Sequence, residues 1–428
     1  MTKAVFTLAL IANLLVALGF RPGLAAPLDV DDVPAPAWSP VPFARPADFA
    51  AYMAQRHAWP REKIDALLVD YKANAQVIRL MEPPAQSFKR SWQSYRKRFI
   101  EPKRVAAGVN FWQENQDALD RASKRFGVPA YVIVGIIGVE TIYGRNTGSF
   151  QVLDALATLS FDYPRRAAYF SKELEHFLLW TEEQGIDPKT IRGSFAGAIG
   201  LPQFMPGSIR RHAVDFDGDG SIDLGASKAD AIGSVASFLK RHGWQSQSKQ
   251  KTRVHLQLKP QQEASEEARK KILEAGWQPR LQKRDIEKAG LGFPKESKDR
   301  SDPQKKEKPK QQTREKSDQK DAAGAHTWAV FELPNADAQS TWIATDHNFW
   351  VITRYNQSPF YAMAVLELGE AVRDERRRQL AKPSEAATSA EVKTKNIATK
   401  TQSAESKAVG QAIPKDTKIK SADGKHDD

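Results

Sequence analysis

From about residue 47 to 125, apolar residues recur every three or four positions, with aromatic anchors at Phe88, Trp92, Phe99, Phe111 and Trp112. This spacing predicts helices with polar outer faces. Between 126 and 250 the pattern changes to a compact, mostly helical core of short segments broken by Gly and Pro. Its run VPAYVIVGIIGV is apolar on every side, so a helix here belongs inside a large core. Pro129 suits the first turn of that helix and Gly144 its end. RVHLQL, TWAVFEL, STWIAT and NFWVITRY are rich in aromatic and β-branched residues and are separated by turn signals. They predict an antiparallel sheet built from 251–294 and 326–354. Within that region EEARKKILEAGW reads as a short helix ending near Gly276, and YAMAVLELGEAVRDERRRQL, within 355–381, reads as a closing amphipathic helix. The expected fold class is α+β, mostly α.

The rest of the chain lacks such patterns. Residues 27–46 are rich in Pro and Ala and read as a linker. Residues 295–325 and the Lys-rich tail 382–428 have too few apolar groups to offset the entropy of ordering, and are expected to be disordered. At the other end, MTKAVFTLALIANLLVALGF followed by RPGLAAP has a charged start, an apolar run and a small-residue zone. Residues 1–26 therefore read as a signal peptide, cleaved after Ala25 or Ala26; the alternative is an uncleaved anchor. The formal charge of +12 points to an acidic partner, which is nucleic acid, an anionic membrane surface or an anionic polymer. Export makes nucleic acid the poorest of these. The chain has no cysteine, which excludes disulfides, thiolate catalysis, Cys-ligated zinc and a lipid-modified cysteine.

One acidic residue interrupts the apolar helix. Glu140 follows Ile136 and Ile137 on the same face, in the last turn. Burial and the negative end of the helix both disfavour its charge, so its pKa is expected to rise. A carboxyl group that stays protonated near neutral pH is a general acid. The alternative is a structural glutamate paired with Arg145. DFDGDGSID places Asp215, Asp217 and Asp219 at positions 1, 3 and 5 of a calcium loop, Gly220 at 6, Ser221 at 7 and Asp223 at 9. The usual Glu at position 12 is replaced by Ala226, and Asp230 further on closes a longer loop. Calcium here would be structural, and a plain acidic turn is the alternative. FDYPRRAAYF brings Arg165, Arg166 and Tyr169 together, and RGSFAGAIGLPQFMPGS carries Ser194 and Gln203 among four glycines. Each is a weak signal alone, equally compatible with a solvated patch or a structural loop. Tyr355, Asn356 and Tyr361 suit either sugar stacking or ordinary packing.

Taken in order, VIVGIIGVETIYGR, LDALATLSFDYPRR, GSFAGAIGLPQFMP, VDFDGDGSIDL, DAIGSVASFL and ITRYNQSPFYAMAV closely resemble the lytic murein transglycosylase B family, from about residue 45 to 375. The resemblance implies a lysozyme-like core with a helical domain (47–125), a catalytic core with the calcium loop (126–250) and a small antiparallel β domain. It implies a peptidoglycan-cleaving enzyme of the periplasm of a Gram-negative bacterium. Glu140 would be its sole catalytic acid and base, releasing a 1,6-anhydromuramic end. Tyr95, Arg165, Arg166, Tyr169, Ser194, Gln203, Tyr355, Asn356 and Tyr361 would bind glycan or its peptide stems. Asp215, Asp217, Asp219, Ser221 and Asp230 would hold structural calcium, with no cofactor for catalysis. The partners implied are glycan strands, and other wall proteins through the basic extensions; the protein would be a monomer. Two alternatives stand beside this reading. A hydrolysing muramidase needs a second carboxylate, for which Asp154 and Asp162 are candidates. A non-catalytic wall-binding protein has no use for a glutamate placed like Glu140.

Overall fold

The computed structural model describes residues 43, 45–82, 90–246, 255–260, 266–294, 326–336 and 338–381. The expected signal peptide, nearly all of the 27–46 linker, the 295–325 insertion and the 382–428 tail lie outside the described residues. The chain divides into two units, Met1–Glu375 and Arg376–Asp428. The described part of the second, 376–381, is the end of the last helix; everything below concerns the first.

Among the described residues six helices come first: α1 Pro46–His57, α2 Arg61–Leu68, α3 Ala75–Met81, α4 Trp92–Phe99, α5 Pro102–Glu114 and α6 Gln116–Phe126. Their starts follow the local chemistry. Asn74 accepts hydrogen bonds from the N–H groups of Gln76 and Val77, Ser91 accepts from that of Ser94, and Pro102 opens α5. Next come the apolar α7 Ala130–Thr141, a short strand β1 Phe150–Gln151, α8 Val152–Phe161 and α9 Ala167–Glu183. Then follow β2 Arg192–Gly193, α10 Pro206–His212 and α11 Lys228–Arg241. β1 and β2 pair antiparallel, Phe150 opposite Gly193.

The later elements are β3 His255–Pro260, α12 Glu266–Glu274, α13 Lys283–Lys288, β4 Leu291–Gly292, β5 Ala329–Asn335, β6 Ala338–Thr345, α14 His347–Tyr355 and α15 Pro359–Ala381. The four strands form an antiparallel sheet in the order β4-β3-β6-β5. Alternation along β5 and β6 divides two cores. Ala329, Phe331, Leu333 and Ile343 face the large core shared with the helices, while Val330, Trp342 and Ala344 pack with Ile272 of α12 and Ile286 of α13.

One expectation fails. NFWVITRY is not a strand; it lies in α14. Its β-branched and aromatic content is real, but Asp346 caps the segment by accepting the N–H of Phe349 at 3.1 Å. Phe349, Ile352 and Thr353 are buried at helical spacing. Capping and a place in the helical core outweigh strand propensity, which is a statement about surroundings more than backbone. Among the described residues, no single helix is long and apolar enough to cross a membrane.

Candidate active site

Ten of the twelve residues of α7 are buried, including Glu140, which is 8 % exposed. Two features let so apolar a helix carry a carboxyl group. The first is Tyr361, in the first turn of α15, whose hydroxyl donates to Oε1 of Glu140 at 2.6 Å. The second is the close approach of the two helices. A Cβ on Gly135 would lie 2.2 Å from the carbonyl oxygen of Val365, and one on Gly369 would lie 2.0 Å from that of Tyr131. Glycine removes that obstacle, so the antiparallel backbones touch and the next layer along brings Tyr361 to Glu140.

Burial pushes the Glu140 carboxyl up to about 8, against the opposing pull of the Tyr361 hydrogen bond. Arg145 is exposed, and among the described residues no basic group pairs with Glu140. The salt-bridged reading therefore gives way to a protonated acid. With Oε1 occupied by the phenol, Oε2 is the oxygen available to carry and deliver a proton.

Aromatic rings surround this group. Burial first, and then the charge of Glu140, raise the phenols of Tyr95, Tyr355 and Tyr361 above their usual range. Tyr355 stacks on Tyr361 with ring centroids 6.2 Å apart, and its hydroxyl donates to the carbonyl of Pro202. Tyr95 leans on Phe360 at 5.4 Å, and Phe360 on Trp92 at 5.5 Å. Asn356 is buried just after α14.

The glycine-rich segment packs against the same helix end. Oγ1 of Thr141 donates to the carbonyl of Leu201 at 2.9 Å and accepts the N–H of Gly144 at 3.0 Å. Ser194 is buried, and its Oγ accepts the N–H of Ala198 at 2.9 Å. Gln203 sits in a left-handed conformation (φ 51°) and donates through Nε2 to the carbonyls of Thr147 and Gly200. That grip leaves its Oε1 buried without a partner.

Not every expected residue joins this centre. Arg166 lies 4.3 Å above the ring of Tyr169, beside buried Glu173, whose Oε2 accepts the N–H of Gly207. Arg165 is exposed nearby. No hydrogen bond, ion pair or ring contact among the described residues links these three to Glu140. Phe360, Thr141 and the pair Gly135 and Gly369 were not singled out by sequence. The small-residue spacing within α7 was the available signal for the glycines; nothing local marked the other two.

The acidic loop brings three of its carboxylates together. Carboxylate oxygens of Asp215, Asp217 and Asp230 lie within 4.8 Å of one another. Oxygens bound at 2.3–2.6 Å to one calcium ion can be at most about 5 Å apart, so the three fit one ion. Asp219 and Ser221 fall outside that trio: Oδ1 of Asp219 accepts both the N–H and the hydroxyl of Ser221. Asp223 is turned to the N–H groups of Gly225 and Ala226.

Comparison with known proteins agrees with this geometry. Residues 43–370 match the family model described as the transglycosylase SLT domain. The chain is 40% identical over 333 residues to membrane-bound lytic murein transglycosylase B of Escherichia coli (strain K12), covering 76% of this chain and 81% of that protein. Among solved structures, soluble lytic transglycosylase SltB1 from Pseudomonas aeruginosa is 37% identical with a TM-score of 0.63, covering 77% of this chain and 98% of that one. The Escherichia coli lytic transglycosylase Slt35, solved in complex with calcium, is 38% identical with a TM-score of 0.61, covering 77% and 92%. A lysozyme-like fold, a glutamate buried in an apolar helix and a match across most of the chain converge: this protein belongs to the SLT-domain family of lytic transglycosylases.

Proposed function

We propose that the chain cleaves the β-1,4 bond between N-acetylmuramic acid and N-acetylglucosamine in peptidoglycan without consuming water, with Glu140 as its only acid and base. Oε2 of Glu140 gives its proton to the glycosidic oxygen as the C1–O bond breaks. The resulting carboxylate takes the proton of the muramoyl C6 hydroxyl as O6 closes on C1. A 1,6-anhydro ring forms, and Glu140 ends protonated as it began. The raised pKa serves the first step, and the conjugate base serves the second.

The observation that carries this reading is Glu140 itself, buried at the end of α7 with Tyr361 as its hydrogen-bond partner and its carboxyl pushed up to about 8. A hydrolase of this type places a second carboxylate across the bond. Asp162 instead accepts a hydrogen bond from Tyr71, and Asp154 is exposed near Arg192 and Lys189. Among the described residues no carboxylate acts on Glu140. Mass spectrometry of digested peptidoglycan is expected to show muropeptides one water lighter than hydrolysed ones. Free reducing ends would make the enzyme a muramidase.

Tyr95, Tyr355, Asn356 and Tyr361 form the wall beside the acid. Ser194 and the free Oε1 of Gln203 suit the acetamido and hydroxyl groups of a sugar, and Arg165, Arg166 and Tyr169 suit the anionic stems farther along the strand. A polymer outside the cytoplasm also accords with reading residues 1–26 as an export signal and with the basic charge of the chain.

Calcium would be held by Asp215, Asp217 and Asp230, and its contribution would be structural: it would neutralise three converging carboxylates at the base of α11. Adding calcium at a hundred times its dissociation constant is expected to stabilise the fold by about 2.7 kcal/mol. Magnesium, which demands tighter octahedral geometry, should do much less. Asp217→Asn should remove most of the calcium-induced rise in melting temperature; an unchanged rise would place the ion elsewhere.

A further inference from the structure

Helix α7 ends in an unusual way. Helices commonly finish on one left-handed residue, most often glycine. Here two non-glycine residues in succession are left-handed, Ile142 (φ 53°, ψ 50°) and Tyr143 (φ 59°), before Gly144 (φ 86°). A β-branched residue in that region is a genuine outlier, and such strain persists only where the surroundings enforce it.

The enforcing contacts come from the helices packed around the turn. The ring of Tyr143 is slotted between two helices where both carry glycine: a Cβ on Gly108 of α5 or on Gly138 of α7 would lie 2.4 Å from its hydroxyl. Phe111 packs against the ring at 5.2 Å. The Tyr143 hydroxyl is buried with no hydrogen-bond partner among the described residues, and its polar neighbour of note is the Arg104 charge, so the residue is held chiefly by shape. The turn also closes the helix end. The N–H of Ile142 reaches the carbonyl of Gly138 at 3.3 Å, and that of Tyr143 reaches the carbonyl of Ile137 at 3.4 Å. Buried Arg104 donates to the same Gly138 carbonyl at 3.0 Å. The groups so fixed are the last-turn carbonyls beneath Glu140.

We propose that the left-handed pair Ile142–Tyr143 is a positioning element for the reaction, with Tyr143 as a wedge that keeps the last turn of α7 closed and Glu140 pressed against Tyr361 and out of water. This deepens the function proposed above and rests on it. Neither residue touches the sugar; both act through the orientation and burial of the acid.

The test is steady-state kinetics on peptidoglycan across pH for Ile142→Gly, Tyr143→Leu and Tyr143→Phe, each checked for native circular dichroism. Ile142→Gly removes the strain but also the stiffness of the turn, and Tyr143→Leu removes the wedge. Both are expected to lower kcat by about tenfold with KM nearly unchanged, the signature of a lost transition-state interaction. Both should also move the alkaline limb of the rate profile to lower pH, because a wetter Glu140 loses its proton sooner. Tyr143→Phe should keep near-wild-type kinetics, since it preserves the ring and removes a hydroxyl that makes no hydrogen bond. A folded Ile142→Gly protein with wild-type kcat and an unmoved alkaline limb overturns the inference. Failure of the underlying reading looks different: wild-type protein would then yield no anhydro ends, or Glu140→Gln would stay active.

Discussion

Glu140→Gln is expected to abolish strand cleavage while making the protein more stable at alkaline pH. The first effect follows from the double duty of one carboxyl group. General acid or base assistance is worth roughly 10²–10⁴-fold in rate, and here one substitution removes both. The loss should therefore reach the upper end of that range. The second effect follows from burial. In the unfolded chain the carboxyl ionises at about 4.5, whereas in the fold it is pushed up to about 8. Across that window the native state keeps a proton that the unfolded state has released, so wild-type stability falls as pH rises and stops falling above it. The accumulated penalty is on the order of several kcal/mol, since each pH unit of the window is worth about 1.4 kcal/mol. Glutamine has nearly the same shape, still accepts from Tyr361 and does not titrate. Urea denaturation at pH 5 and pH 9 should show the variant matching wild type at the lower value and exceeding it at the higher. Parallel pH dependence in the two proteins would mean that Glu140 is not the buried acid described here.

That carboxyl also shows what a sequence can and cannot disclose. An acid inside VIVGIIGVET is visible at once, and so is the expectation of a raised pKa, because burial can be inferred from apolar residues all round the helix. Its partner is not visible. Arg145, five residues away, is the local choice, but the hydrogen bond comes from Tyr361, 221 positions along the chain. Local pattern carries no information about which distant element packs on a helix face. The same limit explains NFWVITRY, whose composition suits a strand equally well until the Asp346 cap and the helical core are in view. The paired strands β5 and β6 were legible because alternation is a local property, whereas the two-residue strand β4 is too short to show any period. In the acidic loop, ligand spacing correctly brought Asp215 and Asp217 together with Asp230. Asp219 and Ser221 bond each other in the same loop.

The helix pair behind the site gives a second large effect, a loss of stability through Gly135→Ala. In an isolated helix this change would help by roughly 1 kcal/mol. Here the new methyl would meet the carbonyl oxygen of Val365 at 2.2 Å, and its carbonyl carbon at 3.1 Å. Backbone in the middle of α15 cannot swing aside as a side chain would, so α7 and α15 must move apart by about 1 Å. Overpacking of this kind commonly costs about 1–3 kcal/mol, and contact with main chain belongs at the top of that range. The damage should extend to activity. Along the antiparallel pair, residues 131 and 135 of α7 meet 369 and 365 of α15, and the next contact in the series is Glu140 with Tyr361. Separating the helices draws the phenol away from the carboxyl that it orients. A drop in melting temperature accompanied by lower kcat is the expected result. Adding Val365→Ala distinguishes the cause. It trims a Cγ1 atom that lies 3.3 Å from the new methyl but leaves the carbonyl in place. If backbone contact is the obstacle, the double variant should be no more stable than Gly135→Ala alone; recovery of stability would assign the cost to side-chain crowding, and would leave the distance between the two helices adjustable.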